Sequence, residues 1–374
     1  MTWISTSVGN IVELQRGFDL PAKRRTAGPF HVYSSSGISG SNDVAAVEGP
    51  CVITGRYGTI GKVFYSELPC WPLNTTLFST DFKGNNPRFI YYLLKTIPWD
   101  MYTTASAVPG INRNHVNTHR VCVPDRDTQD AIAQLLDTLD LKIELNNRLN
   151  DYLAEHLKSC AKRLYREYER DEGAGLPEGW RWTTIGEISE MVCRGVTPKY
   201  NDKSDELILG QTCIRNNLVL LENGRLHAPR KITEKWLKKY DLLINSTGVG
   251  SLGRTAQVWF DPSKLVVDSH VTIVRAVDPR YALYIGFWAF EHERYIESLH
   301  TGSTGQTELP RDHVKAIRLV LPSDAELEKF NAVARPAIEL IVANQRESKR
   351  LAELRDTLLP KLMSGEIDAS NVAI

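Results

Sequence analysis

The stretch QDAIAQLLDTLDLKIELNNRLNDYLAEHLKSCAKRLYR, residues 129–166, decides the architecture of this 374-residue chain. Within it Ile132, Leu136, Leu139, Ile143, Asn146, Asn150, Leu153, Leu157, Cys160 and Leu164 recur at steps of four and three, a heptad seam sustained for about five heptads. That spacing puts one narrow stripe along a helix spanning roughly 57 Å at 1.5 Å per residue. A single stripe needs a partner, and the C-terminal region supplies one. Phe330, Ala334, Ala337, Ile341, Asn344, Ser348, Leu351, Arg355, Leu358 and Leu362 occupy the equivalent positions, with Pro336 expected to kink or restart the helix. A whole domain's length of chain separates the two helices, so an antiparallel pair is expected. Asn146 and Asn344, each near the middle of its helix, are expected to fix the register where a pseudo-twofold axis crosses.

The helices are half of a larger repetition. Val8-Gly9-Asn10-Ile11 matches Ile185-Gly186-Glu187-Ile188, Arg16-Gly17 matches Arg194-Gly195, and Gly58-Thr59-Ile60-Gly61-Lys62 matches Gly250-Ser251-Leu252-Gly253-Arg254. His115-Val116 and His313-Val314, Pro124 and Pro322, and the two asparagines then share a constant offset of about 198 residues. The offset drifts by about 20 residues before that, so the second copy is the longer. Four segments follow in the order globular, helix, globular, helix: 1–125, 126–172, 173–322 and 323–374. Each globular copy reads as a mixed α/β (α+β) domain. Runs such as Cys51-Val52-Ile53-Thr54, Lys62-Val63-Phe64-Tyr65, Leu242-Leu243-Ile244 and Val271-Thr272-Ile273-Val274 are short strands between glycine turns, with helices near 87–96 and 282–299.

Composition narrows the function. Six scattered cysteines without a C-x-x-C pair argue against a zinc site or a disulfide framework, and mostly buried free thiols are expected. No apolar run is long enough to span a bilayer, and Met1-Thr2-Trp3 opens no basic-then-apolar leader, so a cytoplasmic location without membrane contact is expected. Net charge is zero overall, but residues 1–125 and 180–322 each carry an excess of three basic side chains. This distribution permits nucleic-acid binding without requiring it.

Catalytic groups are hard to find. Gly248 to Gly253 satisfies G-x-G-x-x-G, but a strand pattern follows it where a dinucleotide site needs a helix N-terminus. His115 and His313 have no partnered nucleophile or acid at informative spacing, and Asn86-Pro87-Arg88-Phe89 lacks the second proline of an adenine-methyltransferase loop. What remains are polar and basic loops suited to base edges and phosphates. In the first copy these hold Lys23, Arg24, Arg25, Ser34, Ser35, Arg56, Tyr57, Lys62, Arg113 and Asn114; in the second, Arg194, Lys199, Tyr200, Arg215, Asn216, Asn217 and Arg254. The chain is expected to perform no chemistry and to hold no cofactor or metal of its own. A coiled-coil scaffold whose copies bind proteins instead of DNA is the alternative reading.

Leu176-Pro177-Glu178-Gly179-Trp180, Ser35-Ser36-Gly37-Ile38-Ser39-Gly40, Gly55-Arg56-Tyr57-Gly58-Thr59-Ile60-Gly61 and the terminal Leu358-Leu359-Pro360-Lys361-Leu362-Met363-Ser364-Gly365-Glu366-Ile367 come in an order that resembles the specificity subunit of Type I restriction-modification systems. The resemblance implies two target-recognition domains, each reading half of a bipartite site in double-stranded DNA. It also implies two adenine-methyltransferase subunits docked along the helices, and motor and nuclease subunits completing the complex. S-adenosylmethionine, ATP and magnesium would belong to those partners. Readers on one face of B-DNA enter successive major grooves about 34–36 Å apart. The helix is longer, so the domains are expected to attach inward of its tips or the DNA to bend.

Overall fold

In the computed structural model, which describes residues 2–103, 110–171, 175–228, 234–302 and 307–369, the long helices are Arg126–Arg163 and Asp324–Ser364. The first begins three residues ahead of the expected Gln129 because Asp125 caps it. The Asp125 carboxylate accepts from the Thr128 amide at 3.0 Å and the Thr128 hydroxyl at 2.8 Å. At the other end the amides of Leu164 and Tyr165 turn back to the carbonyls three residues earlier, which tightens and closes the last turn. The second helix does not restart at Pro336. Pro336 and Ala332, whose carbonyl loses its usual amide partner, are both exposed, so that carbonyl stays open to solvent.

The chain packs into two compact units, Met1–Leu145 with Glu347–Ile374 and Asn146–Arg346. Each contains one globular copy and one half of each long helix. In the first unit a four-stranded antiparallel sheet has the order Glu13–Arg16, Thr76–Asp81, Cys51–Gly55, Val63–Ser66. A three-stranded sheet places Phe30–Ser34 between antiparallel Gly37–Asn42 and parallel Cys70–Pro72, and Ile4–Ser7 pairs with Arg120–Val123. The helix Pro87–Lys95, capped by Asn86, buries Phe89, Ile90, Leu93 and Leu94 in one core with Ile132 and Leu136 of the first long helix and Leu362 and Met363 of the second.

The second unit repeats this plan strand for strand. Its four-stranded sheet runs Ser189–Arg194, Val271–Ala276, Leu242–Asn245, Thr255–Gln257; its three-stranded sheet puts Glu206–Leu209 between Arg225–His227 and Leu265–Val267; and Arg181–Thr184 pairs with Arg318–Leu321. Residues 210–224 stand where the first copy has only Ser35-Ser36, and this insertion contains a hairpin of Ile214–Arg215 and Leu218–Val219. Most of the drift in offset therefore comes from one loop. The helix expected over 282–299 is two, Pro279–Glu291 and Glu293–Ser298. His292 separates them, stacked on Trp288 at 4.0 Å and held 3.1 Å from the Glu169 carboxylate.

The helical seam is antiparallel in each unit. In the first, the Arg355 guanidinium reaches Asp140 at 2.6 Å and Lys142 lies 3.3 Å from Glu347. In the second, Asn344 donates to Asn150 at 2.9 Å. Asn146 and Asn344 are both buried, as a seam requires, and the bond from Asn344 runs to the seam position one turn beyond Asn146. The thiols are less buried than expected: Cys51, Cys70 and Cys213 are inside, Cys160 and Cys193 are half-buried, and Cys122 is exposed. Cys122 occupies an outward position of a two-stranded ribbon whose residues alternate in and out. Among the described residues no helix is long and apolar enough to cross a membrane, and no group of three or more His, Cys, Asp or Glu could hold a metal.

Candidate nucleic-acid interface

In the first unit a cleft of about 380 Å³ is lined by Arg16, Arg56, Tyr57, Asn112, Arg113 and Asn114, with Leu77, Gly110 and Ile111 beneath. Among the described residues no carboxylate lines it. Arg16 ends a sheet strand, Arg56 and Tyr57 open the glycine turn after Cys51–Gly55, and Arg113 starts the short helix Arg113–Asn117, which Asn112 caps by accepting from the Asn114 amide at 3.0 Å. The Arg56 guanidinium lies 4.6 Å from the Tyr57 ring centre, and Arg113 donates to the Leu14 carbonyl at 3.2 Å. Gly110 is required here. A β-carbon on it would stand 2.1 Å from the Tyr57 ring. The Arg16 side chain lines the cleft and makes no hydrogen bond or ion pair among the described residues.

The second unit has a wider cleft of about 640 Å³, lined by Arg215, Arg254, Gln211, Thr212, Asn223 and Ser251, together with Ile214, Val249 and Gly250. Arg215 comes from the inserted hairpin. Arg254 follows the turn Gly248–Gly253, whose three glycines all take left-handed angles and which links two strands instead of opening a helix. The dinucleotide reading is thereby excluded by geometry as well as by pattern. His313 bonds the Leu299 carbonyl through Nδ1 at 2.8 Å, a structural role.

The remaining candidates do not join these clefts. Lys23 and Arg24 form an exposed turn, while Arg25 is tied to the carbonyls of Leu20 and Ser39. Ser34 closes its own turn by donating to the Gly37 carbonyl, Ser35 is half-buried beside the glycine turn, and Lys62 and Lys199 are exposed at strand margins. Tyr200 lies under Arg225, whose guanidinium is 3.5 Å from the ring centre. Asn216 and Asn217, expected beside Arg215, are the two left-handed residues of the hairpin turn, with φ of 54° and 61°. They line a separate groove with Trp259, Phe287 and Ile341, and Asn217 bonds Glu293 at 3.1 Å.

Arg194 also has a different role from the one expected. Its guanidinium bonds Glu308, the Leu309 carbonyl and the Ser269 carbonyl, which pins two loops together. Burial lowers its pKa, opposed by the charges of Glu308 and Asp268. Burial likewise pushes the Asp268 carboxyl above its ordinary value, opposed by the His270 amide and the positive charges of His270 and Arg194. Reasoning from sequence missed Arg16, although its match to Arg194 in the repeat marked the position.

The family model for the Type I restriction modification DNA specificity domain matches residues 2–155. The chain is similar to the Type I restriction enzyme MjaIX specificity subunit of Methanocaldococcus jannaschii, 23% identical over 306 residues that cover 75% of this chain and 69% of that one. It is similar also to the Type I restriction enzyme HindI specificity subunit of Haemophilus influenzae, 20% identical over 360 residues that cover 75% and 77% respectively. A crystal structure of a Type I restriction-modification system S subunit from M. genitalium shares the fold, with a TM-score of 0.69 and 16% identity over 97% of this chain and 96% of that one.

Proposed function

We propose that this chain, a member of the Type I restriction-modification specificity-subunit family, reads a split DNA sequence, one half through each globular copy. The observation that carries the reading is the first cleft: three arginines, two asparagines and a tyrosine converge with no carboxylate among the described residues. Arginine bonds guanine O6 and N7 bidentately, asparagine bonds adenine N6 and N7, and any arginine not so used neutralises a phosphate. The second cleft offers two arginines with neutral amides and hydroxyls, and so suits a different half-site.

The chain is a recognition subunit and leaves the chemistry to its partners. Two methyltransferase subunits dock along the paired helices, one for each copy, because a repeated frame presents two equivalent surfaces. Motor and nuclease subunits join that core. The helices set the spacing between half-sites. In complex with its methyltransferase partner, the chain is expected to select a split sequence from randomised double-stranded DNA, and one heptad inserted in both helices is expected to change the preferred spacer. A complex that selects no sequence sinks the reading and favours the protein-binding scaffold; an unchanged spacer sinks only the ruler.

A further inference from the structure

Beside the second cleft, and sharing Gln211, Thr212 and Asn223 with it, lies a narrower pocket of about 270 Å³. Asp268 and His270 form one wall, with Tyr200 and Arg225 at another. The carboxylate is built in. Its Oδ1 accepts from the His270 amide at 2.8 Å, and the Asp268 amide donates to the Leu209 carbonyl at 2.9 Å. Its Oδ2 accepts no hydrogen bond among the described residues. Gly210 leaves that oxygen accessible, since a β-carbon there would stand 3.0 Å from Oδ2. The first copy has no carboxylate at the equivalent position. The isolated bridge Val196–Asp268 repeats the bridge Phe18–Leu73, so leucine holds the equivalent position.

A carboxylate beside a DNA groove is repelled by phosphates and cannot bond the acceptor edges of guanine or thymine. It gains only where it meets a donor, and in the major groove the donors are the exocyclic amines of cytosine N4 and adenine N6. We propose that Asp268 is a specificity-determining residue of the second copy: its Oδ2 accepts from an exocyclic amine and selects an amino-bearing base at one position of the second half-site. This rests on the DNA-reading function proposed above. Arg225, stacked on Tyr200 in the same pocket, supplies a cation for the neighbouring phosphate backbone.

The test uses the chain in complex with its methyltransferase partner and a DNA library randomised in the second half-site. The wild type is expected to enrich adenine or cytosine at one position, the enriched base showing which amine is read. Asp268→Ala, which has no side-chain acceptor, is expected to reduce that preference about tenfold while leaving the other positions and the first half-site unchanged. A second arm needs no mutation. Analogues lacking the exocyclic amine, placed singly at each adenine or cytosine of the selected half-site, are expected to weaken wild-type binding at that position and to leave Asp268→Ala binding unaffected. An Asp268→Ala profile identical to wild type overturns the inference, as does a wild type indifferent to loss of every amine. A wild type that selects no sequence at all overturns the proposed function instead.

Discussion

The two copies share their sheets and differ in what lines their clefts. In the first, Arg16, Arg56 and Arg113 arrive from three separate segments and meet no carboxylate among the described residues. In the second, the counterpart of Arg16 is Arg194, and Glu308 with two carbonyls has drawn it into the scaffold. The lost guanidinium is replaced by Arg215 from an insertion the first copy lacks, and Asp268 adds an acceptor where the first copy has Leu73. A repeated backbone thus carries two chemically unlike surfaces because variation is confined to loops, which the sheets hold in place.

The largest effect is expected from removing the first cleft's charge. Arg16→Ala combined with Arg56→Ala should weaken selection of the first half-site about 100-fold, at roughly 1–3 kcal/mol per base contact, and spare the second. Equal loss at both half-sites would mean that the copies do not read independently. Arg215→Ala should cost the second half-site about tenfold and leave the first alone, as scored by competition binding. The contrast between the equivalent arginines is sharper still in salt titrations. Arg16→Ala removes a cation that faces DNA and should reduce the slope of log affinity against log salt, whereas Arg194→Ala should leave the slope unchanged and lower unfolding stability by about 1 kcal/mol. A slope change for Arg194→Ala would place it back in the interface. The smallest effect concerns the seam: denaturation of Asn344→Ala, Asn150→Ala and the double variant should give a coupling of about 0.5 kcal/mol, and strict additivity would show that the bond contributes nothing.

Part of the candidate cleft was legible in the sequence. Arg56, Tyr57, Arg113 and Asn114 were expected from turn-rich loops and do line one cleft, because a residue beside a glycine turn or a helix cap is held near the surface by local geometry. Asn216 and Asn217 carried a readable signal of a different kind. Two asparagines between short β-like runs are what a hairpin turn with two left-handed residues demands, so turn formation accounts for them without a ligand. Arg16 and Arg194 look alike in sequence. Nothing adjacent to either predicts that Glu308, more than a hundred residues away, sits 2.8 Å from one of them.

The seam teaches the same distinction. Ile132, Leu136 and Leu157 are buried as their spacing requires, yet the buried face broadens towards Ala133 and Leu135 at one end and Ala161 and Tyr165 at the other. There the globular copies pack against the helix as well. Arg355, a charge at a seam position, is accommodated by pairing with Asp140 at the edge of the seam.

By itself, then, the sequence determined the repeat, the strands, the two long helices and the separation of frame from loops, because periodicity, capping and turn chemistry act between residues a few positions apart. Only the tertiary structure decided that each compact unit takes half of both helices, and which arginines face a cleft and which brace the scaffold. Those outcomes depend on pairs such as Arg355 with Asp140 and Arg194 with Glu308, whose members meet only after the chain has closed on itself.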